Sequence, residues 1–399
     1  MKRDNIMKKK DNLIAPEYFD TFRCIGGACE DSCCIGWDID IDKLTFRQYY
    51  RVKDISMLNK FKKHVYLNED CYDTEVDYGR LKVDDRKWCP FLDDDKYCNI
   101  YKNLDESYLS NVCSSFPRVI NKVNGDFEVS LFLSCPEAAR LVLLNDEKIT
   151  YRPSSVKLGK HILTNILDTT DKMFENSVVE NFIHIRADIL TLLQDRTKTI
   201  CERLYLLGEY IEELEENPNA NLSFESQVDM SGNMGLQLSF FQSLIDELSE
   251  ENVDSESFNE LTRRVKDSLL NDEFHTLKDK VVNYKKTKSA HAAIFSTTLD
   301  LVFENELVNF TYQNLFPLSE IYSIFDQYMM LIIRHAFMRF YLLGNYEWSH
   351  ESTMEDTVMI ISKFTKTIDH HRHFLEHVYA QMKQKEYDHM TFVKDLLFD

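Results

Sequence analysis

Most of the cysteines of this chain lie in its first third. Nine of the ten precede residue 136, and only Cys201 follows it. In a cytosolic protein this density indicates metal ligands rather than disulfides, because a reducing compartment does not keep structural disulfides. The distribution therefore predicts a metal-binding N-terminal half followed by a different kind of domain.

The composition of the chain favours helices. It has 399 residues, of which 44% are hydrophobic and 12% aromatic, with only 10 glycines and 7 prolines. Sandwiches and barrels of many strands use glycine and proline in their turns, so this composition argues against them. We predict a mainly α fold, in which a cysteine-rich metal-binding N-terminal region with a small β-hairpin is followed by an all-helical C-terminal domain.

The order of these patterns divides the chain. It predicts a basic tail over residues 1–14, a cysteine-rich domain over 15–149 and a helical domain over 150–399, with a flexible segment near 218–256. The Asn124-Gly125 turn predicts the hairpin. Apolar periodicity predicts helices at 156–168, 181–194, 198–216, about 258–286, 291–312, 318–343, 354–380 and 386–397.

Charge and hydropathy limit the possible partners. The net charge of −20 at pH 7 repels phosphate backbones, which argues against nucleic acid. No apolar region follows the basic N-terminal residues, so they do not form a secretory signal. The apolar stretch 324–343 contains Asp326, Arg334 and Arg339, which favour a buried helix over a membrane span. We expect a cytoplasmic protein without a membrane partner.

The cysteines begin with the pattern Cys24-x4-Cys29-x3-Cys33-Cys34. Thiolates this close together converge on one soft metal or on an iron–sulfur cluster. The predicted metal ligands are Cys24, Cys29, Cys33, Cys34, Cys89, Cys98, Cys113 and Cys135. Four thiolates suit tetrahedral zinc and a four-iron cluster equally well, so the spacing leaves the metal open. The adjacent Cys33 and Cys34 either serve different metals, or one of them is a ligand and the other supports it.

Two arginines are the candidate cofactor-binding residues. Arg334 and Arg339 lie with His335 in an otherwise apolar stretch, and buried charges need partners. They either bind a carboxylate of a substrate or cofactor, or pair internally with acidic neighbours such as Asp326 or Glu304. No tyrosine or carboxylate stands out from the many in the chain, so the sequence identifies no catalytic residue.

Two further motifs have weaker patterns. His370, His373 and His377 would share one face of a helix, where they are either metal ligands or acid–base groups, or simply solvated. Residues 230–235 hold two glycines. A nucleotide-binding glycine loop comes directly after a strand, but no strand is predicted before this segment. A loop or the start of a helix is the alternative for that segment.

Residues 22–37 resemble the opening of the flagellin lysine-N-methylase family, which is similar in turn to the CxxCxxCC zinc- and iron-chelating domains. The segments Cys89-Pro-Phe-Leu, Cys98-x-Ile-Tyr and Cys113-x-x-Phe-Pro-Arg fit the same resemblance. So do residues 305–310 and 314–317, and the likeness covers the chain from about 15 to 345.

The resemblance implies a bacterial cytoplasmic enzyme that methylates lysine side chains of flagellin with S-adenosylmethionine. It also implies an iron–sulfur cluster, with 4Fe-4S favoured and zinc as the alternative. The gaps here depart from strict CxxCxxCC spacing, and Gly36 stands where the radical S-adenosylmethionine signature CxxxCxxC has its third cysteine. The sequence therefore gives no support for radical chemistry, and a structural role for the cluster is favoured.

Two other functions fit the cysteines without the enzymatic activity. A non-enzymatic zinc- or iron-chelating protein, acting as a metallochaperone or scaffold, would hold an exchangeable metal and bind no cofactor. An electron-transfer protein would need a cluster that cycles between redox states. The long helical half argues against simple metal storage, because storage alone does not need a second domain of that size.

Overall fold

The chain forms two compact units. The computed structural model describes residues 12–36, 39–84, 88–156, 158–222, 229–250, 253, 255–271, 276–295, 297–318 and 323–399. The first unit contains the residues up to Ala138 together with Ile149–Asp168, and the second contains Ala139–Lys148 and Thr169–Asp399. Residues 1–11 of the predicted basic tail lie outside the described residues.

The first unit contains two small sheets. The strands are β1 (Leu13–Pro16), β2 (Asp40–Ile41), β3 (Val65–Leu67), β4 (Gly79–Leu81), β5 (Arg118–Val123), β6 (Asp126–Leu131), β7 (Tyr151–Ser154) and β8 (Asn165–Leu167). One sheet has the order β7-β1-β6-β5-β8 and the other β2-β4-β3. In the larger sheet β1 runs parallel to β6 and antiparallel to β7, while β8 runs parallel to β5.

The predicted hairpin forms the centre of the larger sheet. Strands β5 and β6 pair antiparallel, with Val123 opposite Asp126. Asn124 and Gly125 join them with φ values of 50° and 94°. A two-residue turn with both φ values positive matches the twist of the strands that it connects, and asparagine and glycine accept that conformation.

The prediction of a helix over residues 156–168 is wrong. The described part of this segment contains β8 and no helix, and β7 comes directly before it. Its backbone is used by the sheet instead: the Thr164 amide donates to the Ile120 carbonyl at 2.8 Å. Long-range pairing with β5 therefore outweighs the local periodicity, and the all-helical part of the chain begins later than predicted.

Short helices complete the first unit. They are α1 (Lys43–Tyr49), α2 (Ile55–His64), α3 (Asn99–Asn103), α4 (Asn111–Ser115) and α5 (Pro136–Leu143), the last of which ends in the second unit. Asp42 caps α1, because its carboxylate accepts a hydrogen bond from the Thr45 amide at 2.9 Å. Tyr49 stacks on Phe61 with ring centroids 3.9 Å apart, and Phe91 packs against Phe61 in the same core.

The second unit confirms the predicted helical half. Its helices are α6 (Phe182–Leu193), α7 (Ile200–Glu216), α8 (Met234–Glu250), α9 (Glu256–Leu269), α10 (Leu277–Phe295), α11 (Thr298–Gln313), α12 (Ile324–Ser349), α13 (Met354–Ile368), α14 (Arg372–Gln384) and α15 (Met390–Leu397). The segment predicted to be flexible contains α8, while its residues 223–228, 251, 252 and 254 lie outside the described residues.

Helix α12 contains the apolar stretch 324–343, which was predicted to be a buried helix rather than a membrane span. It packs against α7, α9, α10 and α15, and Tyr328, Phe337, Phe340 and Tyr341 are almost completely buried along it. Gly344 makes the close approach to α9 possible, because a Cβ there would lie 2.9 Å from the Cα of Val265. Within the described residues, no helix is long and apolar enough to cross a membrane.

Candidate functional site

The first unit brings the eight predicted cysteines into one electrostatic network. Each of their thiols interacts with at least one other member of the set. Cys71 interacts instead with Asp77, where its thiol lies 3.4 Å from the carboxylate, and Cys201 belongs to the second unit. Among the described residues, neither of these two cysteines interacts with another thiol of the first unit in the way the eight candidate ligands do, and the assignment of the eight as ligands stays a prediction.

Four of the eight form a tighter group, which we call the inner quartet: Cys34, Cys89, Cys98 and Cys113. Every pair within the quartet interacts electrostatically. All four belong to or pack against the apolar core around Phe61 and Phe91. They come from four separate segments, so a common partner of the four sulfurs would connect parts of the chain that are distant in sequence.

Local backbone contacts hold the quartet in place. The Cys89 amide donates to the Cys34 carbonyl at 3.0 Å, and an isolated bridge pairs Ile35 with Trp88. Cys98 lies at the N-cap of α3. Cys113 lies in α4, where its amide donates to the hydroxyl of the N-cap residue Ser110 at 3.2 Å.

Burial makes three of the quartet thiols, those of Cys89, Cys98 and Cys113, hard to ionise in the absence of a cation. Desolvation raises the pKa of Cys89 and Cys98, and it raises the pKa of Cys113 to about 12. Hydrogen bonds from the amide of Phe91 to Cys89 and from the amide of Tyr101 to Cys98 act in the opposite direction, because they favour the thiolate. Amides directed at sulfur are also a feature of protein iron–sulfur sites.

Three of the remaining four cysteines lie in the loop around Gly26 and Gly27, and the fourth directly precedes α5. Cys135 interacts electrostatically with Cys24 and Cys29, and Cys33 interacts with Cys135. Burial raises the pKa of Cys135 to about 11, while the amides of Ala138 and Glu137 lower it. We call Cys24, Cys29, Cys33 and Cys135 the outer quartet.

The adjacent Cys33 and Cys34 connect the two quartets. The Cys33 thiol hydrogen-bonds to Cys34, which raises the pKa of Cys33 and lowers that of Cys34. The loop before them requires glycine: a Cβ on Gly27 would lie 2.1 Å from the Asp95 carbonyl oxygen, and Gly26 has a φ of 57°. The two neighbouring thiols therefore lie within hydrogen-bonding distance of each other.

The donor set fits a soft metal by its chemistry. Thiolates at this density are ligands for zinc and for iron–sulfur clusters. In the part of the chain that the structure describes, however, no three His, Cys, Asp or Glu side chains have the geometry of a formed metal site. The ligand assignments and the identity of the metal therefore stay predictions.

The two predicted cofactor arginines have different surroundings in the second unit. The Arg334 guanidinium donates to both carboxylate oxygens of Asp369 at 2.8 Å and to Glu306 at 2.5 Å. Arg339 donates to the Cys201 sulfur at 2.6 Å. Internal pairing thus holds for Arg334, with other acidic partners than the two neighbours considered from the sequence.

Helix α11 contains a run of buried polar residues that the sequence analysis did not identify as a group. Glu304 and Glu306 are completely buried, and the Glu304 carboxylate accepts hydrogen bonds from Arg203 at 2.8 Å and from Arg196 at 2.9 Å. The Asn305 side-chain amide donates to the Asn145 carbonyl at 2.7 Å. Polar residues at successive positions of an otherwise apolar helix were the signal available in the sequence.

The remaining sequence motifs do not form the arrangements expected of a site. Helix α13 ends at Ile368 and α14 begins at Arg372, so His370 precedes the helix that carries His377. The His377 ring lies 3.2 Å from Glu247. In the other motif the Gly232 amide donates to the Asp399 carbonyl at 2.7 Å, and α8 begins two residues later.

The two units together define a mainly helical protein with a candidate thiolate metal centre. The model of the FliB lysine N-methylase C-terminal domain matches residues 186–396, which is about half of the chain. The chain therefore belongs to the FliB lysine N-methylase family.

Individual relatives agree with this assignment. A protein of Salmonella typhimurium named lysine-N-methylase and its counterpart in Salmonella choleraesuis are each 34% identical over 136 residues. That match covers 34% of this chain and 33% of each of those proteins. The flagellar biosynthetic protein FliU of Salmonella muenchen is 33% identical over 153 residues, which are 38% of this chain and 85% of FliU. No solved structure shows a significant match.

Proposed function

We propose that this protein is an S-adenosylmethionine-dependent lysine N-methyltransferase that modifies flagellin in the cytoplasm. Membership of the FliB lysine N-methylase family carries this proposal. The relatives named lysine-N-methylase and flagellar biosynthetic protein support a flagellar protein as the substrate.

The reaction needs a neutral amine held in line with the methyl group. The lysine nitrogen forms a bond to the methyl carbon while the carbon–sulfur bond breaks, which leaves S-adenosylhomocysteine and releases one proton. Free lysine is protonated at neutral pH, so the site must desolvate the amine or provide a base. A net charge of −20 favours the approach of lysine-rich surfaces of a protein substrate.

We further propose that the cysteines hold an iron–sulfur cluster, with a four-iron cluster on the inner quartet. Three observations support this choice: every pair of the four thiols interacts, all four lie at one apolar core, and amides donate to two of them. Such a cluster would stabilise the first unit by joining its segments, because metal binding contributes directly to folding free energy. The outer quartet provides further thiols beside it.

Metal analysis of protein purified without oxygen tests the cluster. We expect about four irons and about four acid-labile sulfides per chain, with broad visible absorption. Cys98→Ser should lose most of the iron, while the matched control Cys71→Ser should keep it, since Cys71 contacts Asp77 rather than another thiol. Zinc without sulfide would replace the cluster by a thiolate zinc site, and equal iron in both variants would contradict the quartet.

Methylation of purified flagellin tests the activity on the same preparation. We expect peptide mass spectrometry to find methylated lysines only when both S-adenosylmethionine and the metal-loaded protein are present. Metal-loaded protein that binds no S-adenosylmethionine and leaves flagellin unmodified would instead favour the chelating protein.

A further inference from the structure

The surroundings of Arg339 in the second unit are incomplete. Its guanidinium donates to the Cys201 sulfur, and no carboxylate among the described residues lies within ion-pair distance of it. The side chain remains partly exposed to solvent, although it interacts with groups from α7, α10 and α11. Arg334, five residues earlier on α12, is paired with two carboxylates. A guanidinium has five N–H donors, and the single hydrogen bond to Cys201 leaves others of Arg339 available to an anionic group.

Two buried histidines close to Arg339 also lack hydrogen-bond partners. His291 is 3% exposed and its Nε2 has no partner among the described residues. His335 is completely buried, and neither of its ring nitrogens has a partner there. Both rings interact electrostatically with Arg339. Native proteins leave few buried polar atoms unpaired, so three such atoms around one arginine point to a bound molecule.

One carboxylate interacts electrostatically with Arg339 without forming an ion pair with it. Asp300 on α11 interacts with Arg339 over a longer range and accepts a hydrogen bond from the Ile200 amide. The other nearby cation, Lys288, forms an ion pair with Asp399. The surroundings of Arg339 thus include its own guanidinium and one separate carboxylate. A guanidinium binds a carboxylate through two parallel hydrogen bonds, and a carboxylate accepts hydrogen bonds from an ammonium group.

We propose that Arg339 and Asp300 are the receptor for the α-amino-acid end of a small molecule, namely the methionine moiety of S-adenosylmethionine. Arg339 binds the α-carboxylate, Asp300 accepts from the α-ammonium, and the His291 and His335 rings provide polar contacts at the buried side. Arg334 takes no part in binding and stabilises the helices instead. The identity of the ligand rests on the proposed function, whereas the zwitterion receptor rests on the residues themselves.

Calorimetric titration of the metal-loaded protein with S-adenosylhomocysteine tests the receptor. A parallel titration uses 5′-methylthioadenosine, which keeps the nucleoside and lacks the amino-acid part. We expect the wild type to prefer S-adenosylhomocysteine, and Arg339→Met and Asp300→Asn each to weaken its binding by about 10- to 100-fold, as for loss of a charged hydrogen bond. Binding of 5′-methylthioadenosine should stay unchanged in both variants.

A matched control separates binding from folding. Arg263→Met removes an exposed arginine that pairs with Glu260 and Asp267 on the same helix, and it should bind both compounds as the wild type does. If Arg339→Met weakens both compounds equally, its role is structural and the receptor is wrong. If it weakens neither, the receptor is also wrong while the proposed function stands. If the wild type binds neither compound, both the methyl donor and the receptor assignment fail.

Discussion

Charged side chains in the core of the helical unit are stabilised by one another. Glu304 has no exposed surface, and its two carboxylate oxygens accept hydrogen bonds from Arg196 and Arg203. Ion pairs of this kind contribute little when formed, but removing one partner leaves a buried charge and costs about 3–5 kcal/mol. His291 differs from these groups, because burial favours its neutral form.

The pH dependence of stability should report on His291. Burial, with a smaller effect of Arg339, lowers the pKa of this ring from 6.5 to about 4. In the unfolded chain the ring takes up a proton near pH 6.5, while the folded protein resists it until about pH 4. The contribution of the neutral ring to the free energy of unfolding is therefore complete above pH 6.5. It decreases as the pH falls towards 4, by roughly 3 kcal/mol in total.

Substitution isolates this effect from the carboxylates, which also titrate at low pH. His291→Gln should lose less unfolding free energy than the wild type between pH 7 and pH 4.5. Urea unfolding at a series of pH values measures the difference, with His184→Gln as control, since the His184 ring is largely exposed. Parallel stability curves for the wild type and His291→Gln would contradict the depressed pKa.

Helix ends in the second unit are fixed by side chains that the sequence displays. Thr199 and Glu202 form a capping box at the start of α7, in which each side chain bonds the backbone amide of the other residue. Thr353 and Asp356 do the same at α13. These pairs fix the beginnings of α7 and α13 within two residues of positions 198 and 354, at which the apolar periodicity placed them.

Removal of one cap should have a local and measurable cost. Thr199→Ala leaves the Glu202 amide without its acceptor and should lower the unfolding free energy by about 1 kcal/mol. Thr297 is the N-cap of α11 and makes no capping hydrogen bond with its side chain, so Thr297→Ala should change the stability much less. Chemical denaturation of both variants provides the comparison, and equal losses would show that the capping box does not act as described.

At the level of the whole molecule, the second unit is built from two separate parts of the chain. Residues 139–148 belong to it although the first unit resumes at residue 149. Val142 and Leu143 are completely buried, and the carbonyls of Leu143 and Asn145 accept hydrogen bonds from Asn305. Arg140 also forms an ion pair with Glu355 at 2.5 Å.

A fragment of residues 169–399 should therefore be completed by a peptide of residues 136–150. Without the peptide, Asn305 loses its acceptors and an apolar surface is exposed, so the fragment should be less stable and more prone to aggregate. Added peptide should raise its melting temperature in a concentration-dependent way, as any ligand of the folded state does. A scrambled peptide is the control, and an unchanged melting temperature with both peptides would contradict this interdependence.

Local patterns in the sequence determined those features whose causes are local. Apolar periodicity predicted most helices of the second unit, and Asn124-Gly125 predicted the hairpin. Two predicted helices are interrupted, at residues 270–271 and 369–371, and the interruptions were missed because the apolar period continues on both sides of each.

Only the tertiary structure decided the features that depend on distant partners. Residues 151–154 and 165–167 form strands because β1 and β5 offer them backbone partners, and in the second of these segments the pairing outweighs the helical periodicity. The sequence treated Arg334 and Arg339 as one pair, and they separate because Glu306 and Asp369 reach the first but not the second. Burial and ion pairing are sums over residues far apart in the chain, so no local pattern contains them.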